Sequence, residues 1–359
     1  MGGWHSEIRN PESEMGGWVV VRVVLVRLSA LGDIVHTWPL AVALRATEPR
    51  LHLTWVVEEA FRTLVEGHPA VDSVLTTRTR SWRRRPLSAA TRFEIGVLKS
   101  GLHELQPELA LDPQGLLKSA LVTRWTGAPR RIGLAPPWRR ERLAGCAYTG
   151  TVAGAPAGTH VAQTNLELVR AVGATPPTLT PPDGSWLLAR AAGRCPSGPW
   201  TGTTYAVLLP GAGGGHKLIA ESTLAAVARD LASGSALEVV VAWGPGEQAR
   251  AGRIAAAAGA HLAPPTDLEE LAALLGGAAL VIGGDTGPVH LAASFEVPTV
   301  AVFLASDWRR NGPLGVRTAV VSGSTDPAGR ASGSARSRPF REVAAEEIGA
   351  AARQLLAAY

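Results

Sequence analysis

The stretch VVVRVVLVRLSALGDIVHTWP, residues 19–39, runs from an apolar strand through a turn into the start of a helix. Seven of its first eight residues are valine or leucine, as in a strand buried on both faces in the middle of a parallel sheet. Gly32 allows a tight turn, and Asp33 and His36 follow at the mouth of the helix. A carboxylate in that position lies at the carboxyl edge of its sheet, where open parallel sheets bind their ligands. Asp33 therefore reads in two ways, as a cap for the helix or as a group able to accept a proton from a bound hydroxyl. The turn holds one glycine and no GxGxxG, which argues against dinucleotide binding by this half.

The same alternation continues outward. Strands are expected near 19–27, 51–57, 71–76 and 108–112, and a second series near 204–209, 236–242, 279–283 and 298–303, with helices between them. The proline-rich ATPPTLTPPDGS, 174–185, separates the two series as a linker. This predicts an α/β protein of two doubly wound, Rossmann-like domains facing across a cleft. The expected divisions are an N-terminal extension at 1–18, a first domain at 19–185, a second at 186–340 and a terminal helix at 341–359. The tetrapeptide MGGW recurs at 15–18, which makes Met15 an alternative start, and 322–339 has the composition of a mobile surface segment.

A chain of 359 residues, 46% hydrophobic, has enough apolar material for two cores. It contains no run of 18 uncharged apolar residues, and MGGWHSEIRNPESE lacks the features of a signal peptide, so a cytoplasmic protein is expected. Cys146 and Cys195 stand apart from each other and from histidine clusters, which suggests neither a disulfide framework nor a zinc site. Charge is divided unevenly. Residues 19–185 hold 20 Arg and Lys against 13 Asp and Glu, whereas 200–321 hold 7 against 10. A basic first half suits an anionic ligand.

Three strand ends in the second half carry candidate chemistry. In LLPGAGGGHK, 208–217, four glycines beginning at Gly211 precede Lys217, one of only three lysines in the chain. Such a turn can offer backbone amides and one point charge to phosphate oxygens, or it can be a flexible loop with a solvated lysine. In VIGGDTGPVHLAAS, 281–294, Asp285, Thr286 and Gly287 stand at a helix start, with Pro288 as the first helical residue and His290 one turn in. That N-terminus suits a diphosphate, although Asp285 could serve only as its cap. In AWGPGEQAR, Glu247 could accept both hydroxyls of a ribose or simply open a helix. Two arginine-rich loops add Arg80, Arg83, Arg84 and Arg85 around Trp82, and Arg139 and Arg140. These are solvated basic faces or binding sites for phosphate and carboxylate. No nucleic-acid module accompanies them.

Taken in order, RLSALGDIVHTWP, TWVVEEAF at 54–61, LDPQGLLKSALV at 111–122, WGPGE, GDTGPVHLAA and RRNGPLG resemble glycosyltransferase family 9, over about residues 21–315. The resemblance implies a GT-B fold and a metal-independent, inverting transfer of heptose from ADP-heptose to a Kdo-lipid A acceptor, without a cofactor. It makes Asp33 the general base and Lys217 the group that stabilises the leaving diphosphate. Gly211, Lys217, Glu247, Asp285, Thr286, Gly287 and His290 become the donor site. Arg80, Arg83, Arg84, Arg85, Gln114, Lys118, Arg139 and Arg140 become the acceptor site. The arginines would also hold the enzyme at an anionic inner-membrane surface. A GT-B nucleotide-sugar epimerase, or a non-catalytic nucleotide-sugar-binding protein, would share the donor site and not require the basic acceptor face.

Overall fold

The computed structural model describes residues 21–235, 237–323 and 341–358. The expected N-terminal extension, the alternative start Met15 and all but the first two residues of the 322–339 segment lie outside the described residues.

Six parallel strands build the first sheet: β1 (Arg22–Val26), β2 (His52–Glu58), β3 (Ser73–Thr77), β4 (Leu109–Asp112), β5 (Arg130–Leu134) and β6 (Gly150–Val152), ordered β3-β2-β1-β4-β5-β6. The second contains β7 (Tyr205–Leu209), β8 (Glu238–Val241), β9 (His261–Leu262), β10 (Leu280–Gly284), β11 (Thr299–Phe303) and β12 (Thr318–Ser322), ordered β12-β11-β10-β7-β8-β9. Counted from its own first strand, each sheet has the order 3-2-1-4-5-6 of a Rossmann fold. The order therefore reverses between β1 and β4 in one half and between β7 and β10 in the other.

Register explains the apolar runs. Leu25 of β1 lies between Trp55 and Leu111, and Ile282 of β10 between Leu208 and Val300. All six are fully buried. Side chains of this size each stabilise the fold by about 1.5–3 kcal/mol when removed from water. Two of the buried tryptophans of the first half satisfy their indole N–H groups on backbone oxygens, Trp38 on Leu64 and Trp55 on Arg27. One apolar cluster spans both halves, and the helix Ala345–Ala358 closes the outer layer of the second sheet with Ile348, Ala352 and Leu355.

Strands β5, β6, β9 and β12 were not expected from the sequence. Each lies toward a sheet margin, where fewer residues are buried and the apolar signal is weaker; β6 and β9 are three and two residues long. Between the sheets, the helix Ser185–Arg190 touches both halves. Trp186 stands edge-on to Trp38 at 5.6 Å and to His68 at 5.3 Å, while Arg190 donates to Thr63 O at 2.6 Å and pairs with Glu269 at 3.0 Å.

Candidate active site

Asp33 does not cap the helix that follows β1. The helix is Leu31–Val35, its cap position is Ala30, and Asp33 is its third residue. From there one carboxylate oxygen reaches back 3.3 Å to Ala30 N–H, half of a capping box, because alanine has no side chain to reciprocate. The other oxygen is 2.8 Å from the guanidinium of Arg27, the residue just beyond β1. Arg27 is 3% exposed and anchored to Pro113 O at 3.1 Å, whereas Asp33 keeps 31% exposure. Burial pushes the Asp33 carboxyl up, but Arg27, Arg140, Ala30 N–H and His290 together outweigh it and hold the carboxyl below its ordinary value. Asp33 is thus an ionised, partly open carboxylate on a fixed mount.

The turn behind it is held by β4. Gln114 accepts from Leu28 N–H at 2.9 Å, and the fully buried Asp112 accepts from Gln114 N–H, Gly115 N–H and Tyr148 O–H at 2.8, 3.0 and 2.8 Å. Lys118 donates to Ser29 Oγ at 2.8 Å. Burial and the neighbouring Arg80, Arg27 and Arg83 lower its pKa, with Glu58 opposing them. Gln114 and Lys118 therefore sit against the Asp33 loop itself.

Across the cleft, Asp285 is not a helix cap either. The cap of the helix Gly287–Ser294 is Thr286, whose hydroxyl makes no capping bond, and Gly287 rather than Pro288 opens the helix. Asp285 accepts instead from Lys217 Nζ and Ser306 Oγ, both at 2.5 Å. Lys217 is thereby steered from its glycine-rich loop to the N-terminus of that helix. At the neighbouring strand end, Glu247 accepts from Gly244 N–H at 2.9 Å. A side chain at 211 would put Cβ 2.1 Å from Glu247 Oε1, so the Glu247 carboxylate rests directly against Gly211 and would have to move for a larger residue.

The two halves meet at the helices Leu31–Val35 and Gly287–Ser294. A Cβ on Gly32 would lie 2.5 Å from the His290 ring, and one on Gly287 would lie 2.5 Å from Leu31 Cβ. Each glycine admits the other helix. His290 is 6% exposed in this contact, 4.5 Å from the ring of buried His36, which is in turn 4.7 Å from His160. Burial lowers the His290 pKa to about 4. His160 accepts from Ala162 N–H at 3.1 Å and donates to Gly312 O at 2.9 Å, a neutral imidazole that ties the first half to the RRNGPLG turn. Arg310 in that turn feels the charges of Arg140, Asp33, Asp307 and Arg27.

Arg80, Arg83, Arg84, Arg85 and Arg140 are all exposed, and among the described residues the side chains of the first four form no hydrogen bond or ion pair. Arg139 is half-buried beside Gly115 and Gly145. The structure brings together Asp33, Lys118, Gln114 and Arg140 at one switch point, and Gly211, Lys217, Glu247, Asp285, Thr286 and Gly287 at the other. Sequence reasoning missed Arg27, Ser306, His160 and Arg310. Arg27 was legible as the charge at the end of an apolar strand, and Arg310 lay within the quoted RRNGPLG motif without being singled out; Ser306 and His160 come from distant segments with no local pattern.

Two Rossmann-like domains, with an arginine-held carboxylate at one switch point and a glycine-rich loop bearing Lys217 at the other, have the architecture of a glycosyltransferase of the GT-B type. A sequence profile described as glycosyltransferase family 9 (heptosyltransferase) matches residues 95–335, and the chain belongs to that family. It is 32% identical over 309 residues to lipopolysaccharide heptosyltransferase 1 of Pseudomonas aeruginosa, covering 86% of this chain and 85% of that one. Its fold is similar to that of the E. coli heptosyltransferase WaaC with ADP, at TM-score 0.78 and 26% identity, covering 93% of this chain and 100% of the other. WaaC with ADP-2-deoxy-2-fluoro heptose gives TM-score 0.74 and 27% identity over 94% and 99%.

Proposed function

We propose that this glycosyltransferase moves heptose from ADP-heptose to a hydroxyl of a Kdo residue on Kdo-lipid A, with inversion at the anomeric carbon. Relatives named for lipopolysaccharide heptose transfer, and structures holding ADP and an ADP-heptose analogue, support the donor and product class. The observation that carries the mechanism is the Arg27-held carboxylate of Asp33, partly open in the cleft opposite Lys217.

In this reading residues 19–185 bind the acceptor and 186–340 the donor. Glu247 takes the ribose hydroxyls, and the diphosphate lies at the Thr286–Gly287 helix start beside Lys217 and Gly211. As the Kdo oxygen bonds to the anomeric carbon, Asp33 takes its proton, the carbon–diphosphate bond breaks and the electron pair leaves on ADP. A low carboxyl pKa is adequate, since the hydroxyl becomes acidic only as the new bond forms. Lys217 and the helix N-terminus meet the charge that develops on the leaving group. His290, packed against Gly32, sets the distance between the two switch points.

Arg80, Arg83, Arg84, Arg85, Arg139 and Arg140, with Lys118 and Gln114 beneath them, receive the carboxylates and phosphates of the acceptor. The reaction then takes place at the cytoplasmic face of the inner membrane, with these arginines toward its anionic lipids. Among the described residues no helix is long and apolar enough to cross a membrane. The test is ADP release from ADP-heptose with and without Kdo-lipid A, with the product weighed by mass spectrometry. Acceptor-dependent release and the mass of one added heptose are expected; release that ignores the acceptor, or none, overturns the reading.

A further inference from the structure

An apolar face stands beside the unpaired arginines. Leu87 is 82% exposed, Phe93 73% and Val97 57%. Phe93 and Val97 are one turn apart on the helix Ala89–Glu104 and line a shallow depression with Gly96, Ser100, Gly101 and Glu104. The opposite side of the same helix is buried through Thr91, Leu98 and Leu102. The helix therefore has a second apolar face that no described residue covers.

This face is rigidly mounted. Ser88 caps the helix through Thr91 N–H at 3.1 Å, and Trp82 Nε1 donates to Glu94 at 2.7 Å, locking it to the arginine-bearing helix Thr79–Arg84. Glu94 is committed to Trp82 and to Arg78 at 3.3 Å, so it does not neutralise Arg80, Arg83, Arg84 or Arg85. Arg92 donates to Leu87 O at 3.0 Å, which sets one more exposed cation at the foot of the patch. The helix Thr79–Arg84 follows the carboxyl end of β3, and the helix Ala89–Glu104 starts soon after it, on the edge of the sheet that also bears Asp33. Exposed leucine, phenylalanine and valine fringed by unpaired arginines fit one partner, an anionic bilayer. The cations meet the headgroups and the apolar side chains enter the acyl boundary.

We propose that Leu87, Phe93 and Val97 are membrane anchors that seat the first domain on an anionic lipid surface with its acceptor edge facing the bilayer. This deepens the reading of the acceptor as a lipid, and it rests on that reading for its purpose, not for its test. The experiment is co-sedimentation with phosphatidylethanolamine–phosphatidylglycerol vesicles and with phosphatidylcholine vesicles, at low and high salt. A Phe93→Trp variant reports insertion by emission, and size-exclusion chromatography reports self-association.

The wild type is expected to sediment with the anionic vesicles and not with phosphatidylcholine. Phe93→Trp should shift to the blue on binding. Phe93→Ser combined with Leu87→Ser should weaken partitioning by about tenfold or more, the scale of losing one or two buried apolar side chains. Transfer to a deacylated, soluble acceptor should be unchanged in that variant, which also shows that it folds. Binding unaffected by the two serines, or absent from both vesicle types, overturns the proposal. So does a dimer that the serines dissolve, which would assign the face to a second copy. Vesicle binding without heptose transfer would remove the proposed reaction and leave the anchors standing.

Discussion

Asp33 and Asp285 each follow a strand that flanks a reversal of strand order, and each precedes or begins a short helix that packs against the other's. Yet their environments differ. Asp33 has one oxygen on a buried arginine and the other on a 3.3 Å contact, with 31% of the side chain open. Asp285 gives a single oxygen to both Lys217 and Ser306 and is 14% exposed. The first arrangement leaves a carboxylate oxygen available as a reagent; the second uses a carboxylate to hold a cation. Carboxylates on opposite sides of the same kind of reversal, Asp33 after a first strand and Asp285 after a fourth, acquire different chemistry from the partners beside them.

The sharpest way to break that comparison is to remove each acid in turn. With Asp33 as the proposed base, Asp33→Asn keeps the shape of the side chain and should lower turnover by about 10²–10⁴-fold. ADP-heptose affinity, measured by calorimetry, should stay close to wild type. Turnover near the wild-type level would transfer the role of base to another group.

The second effect is smaller and falls on the other substrate. Lys217→Met leaves Asp285 without its cation and removes the charge proposed to meet the leaving diphosphate, and kcat/KM should fall about 10²–10³-fold. Unlike Asp33→Asn, it should also weaken ADP binding. Lys217→Arg should recover much of the ADP affinity. Equal affinity in all three would place the diphosphate elsewhere.

Third comes the contact that joins the two places. Gly32→Ala drives a methyl to 2.5 Å from His290 and should destabilise the protein by about 1–3 kcal/mol in denaturant unfolding, with turnover falling as the switch points separate. Gly287→Ala should behave alike, because its methyl meets Leu31. If either variant unfolds as the wild type does, the helices have more room than this close packing gives them.

How much of this was legible beforehand divides along the same line. The strand VVVRVVLV and the glycine-rich ends of β7 and β10 announced two doubly wound halves and a cleft, because parallel central strands write continuous apolar runs, whereas Gly32, expected in a turn, lies inside the helix Leu31–Val35 and admits His290. The margins did not announce themselves: RRIGL and TAVVS carry too few buried residues to stand out. Candidate residues were found where one segment held both acid and turn. Roles that depend on two distant segments, such as Lys217 against Asp285 or His160 against Gly312, require the fold. The capping readings of Asp33 and Asp285 failed for a related reason. Local statistics favour a cap, and a cation captured each carboxylate, Arg27 from the same stretch and Lys217 from a distant loop.

The smallest effect tests why Asp33 differs from an ordinary buried acid. Burial alone would raise its pKa, and Arg27 is the largest influence holding it down. As a group depressed in the folded state, Asp33 contributes stability above the ordinary carboxylate range, which is lost as pH falls through its lower folded value. By the same sign the base form persists throughout the neutral range, so kcat/KM should lose its Asp33-dependent activity only at pH below that of a free aspartate. Arg27→Gln removes the cation and leaves burial dominant, which should move the acidic limb toward neutral pH while turnover on the plateau above it changes far less than in Asp33→Asn. The two variants must be read together. An acidic limb that stays in place in Arg27→Gln means that Arg140 and the Ala30 amide suffice, and that the buried arginine mounts the carboxylate without tuning it.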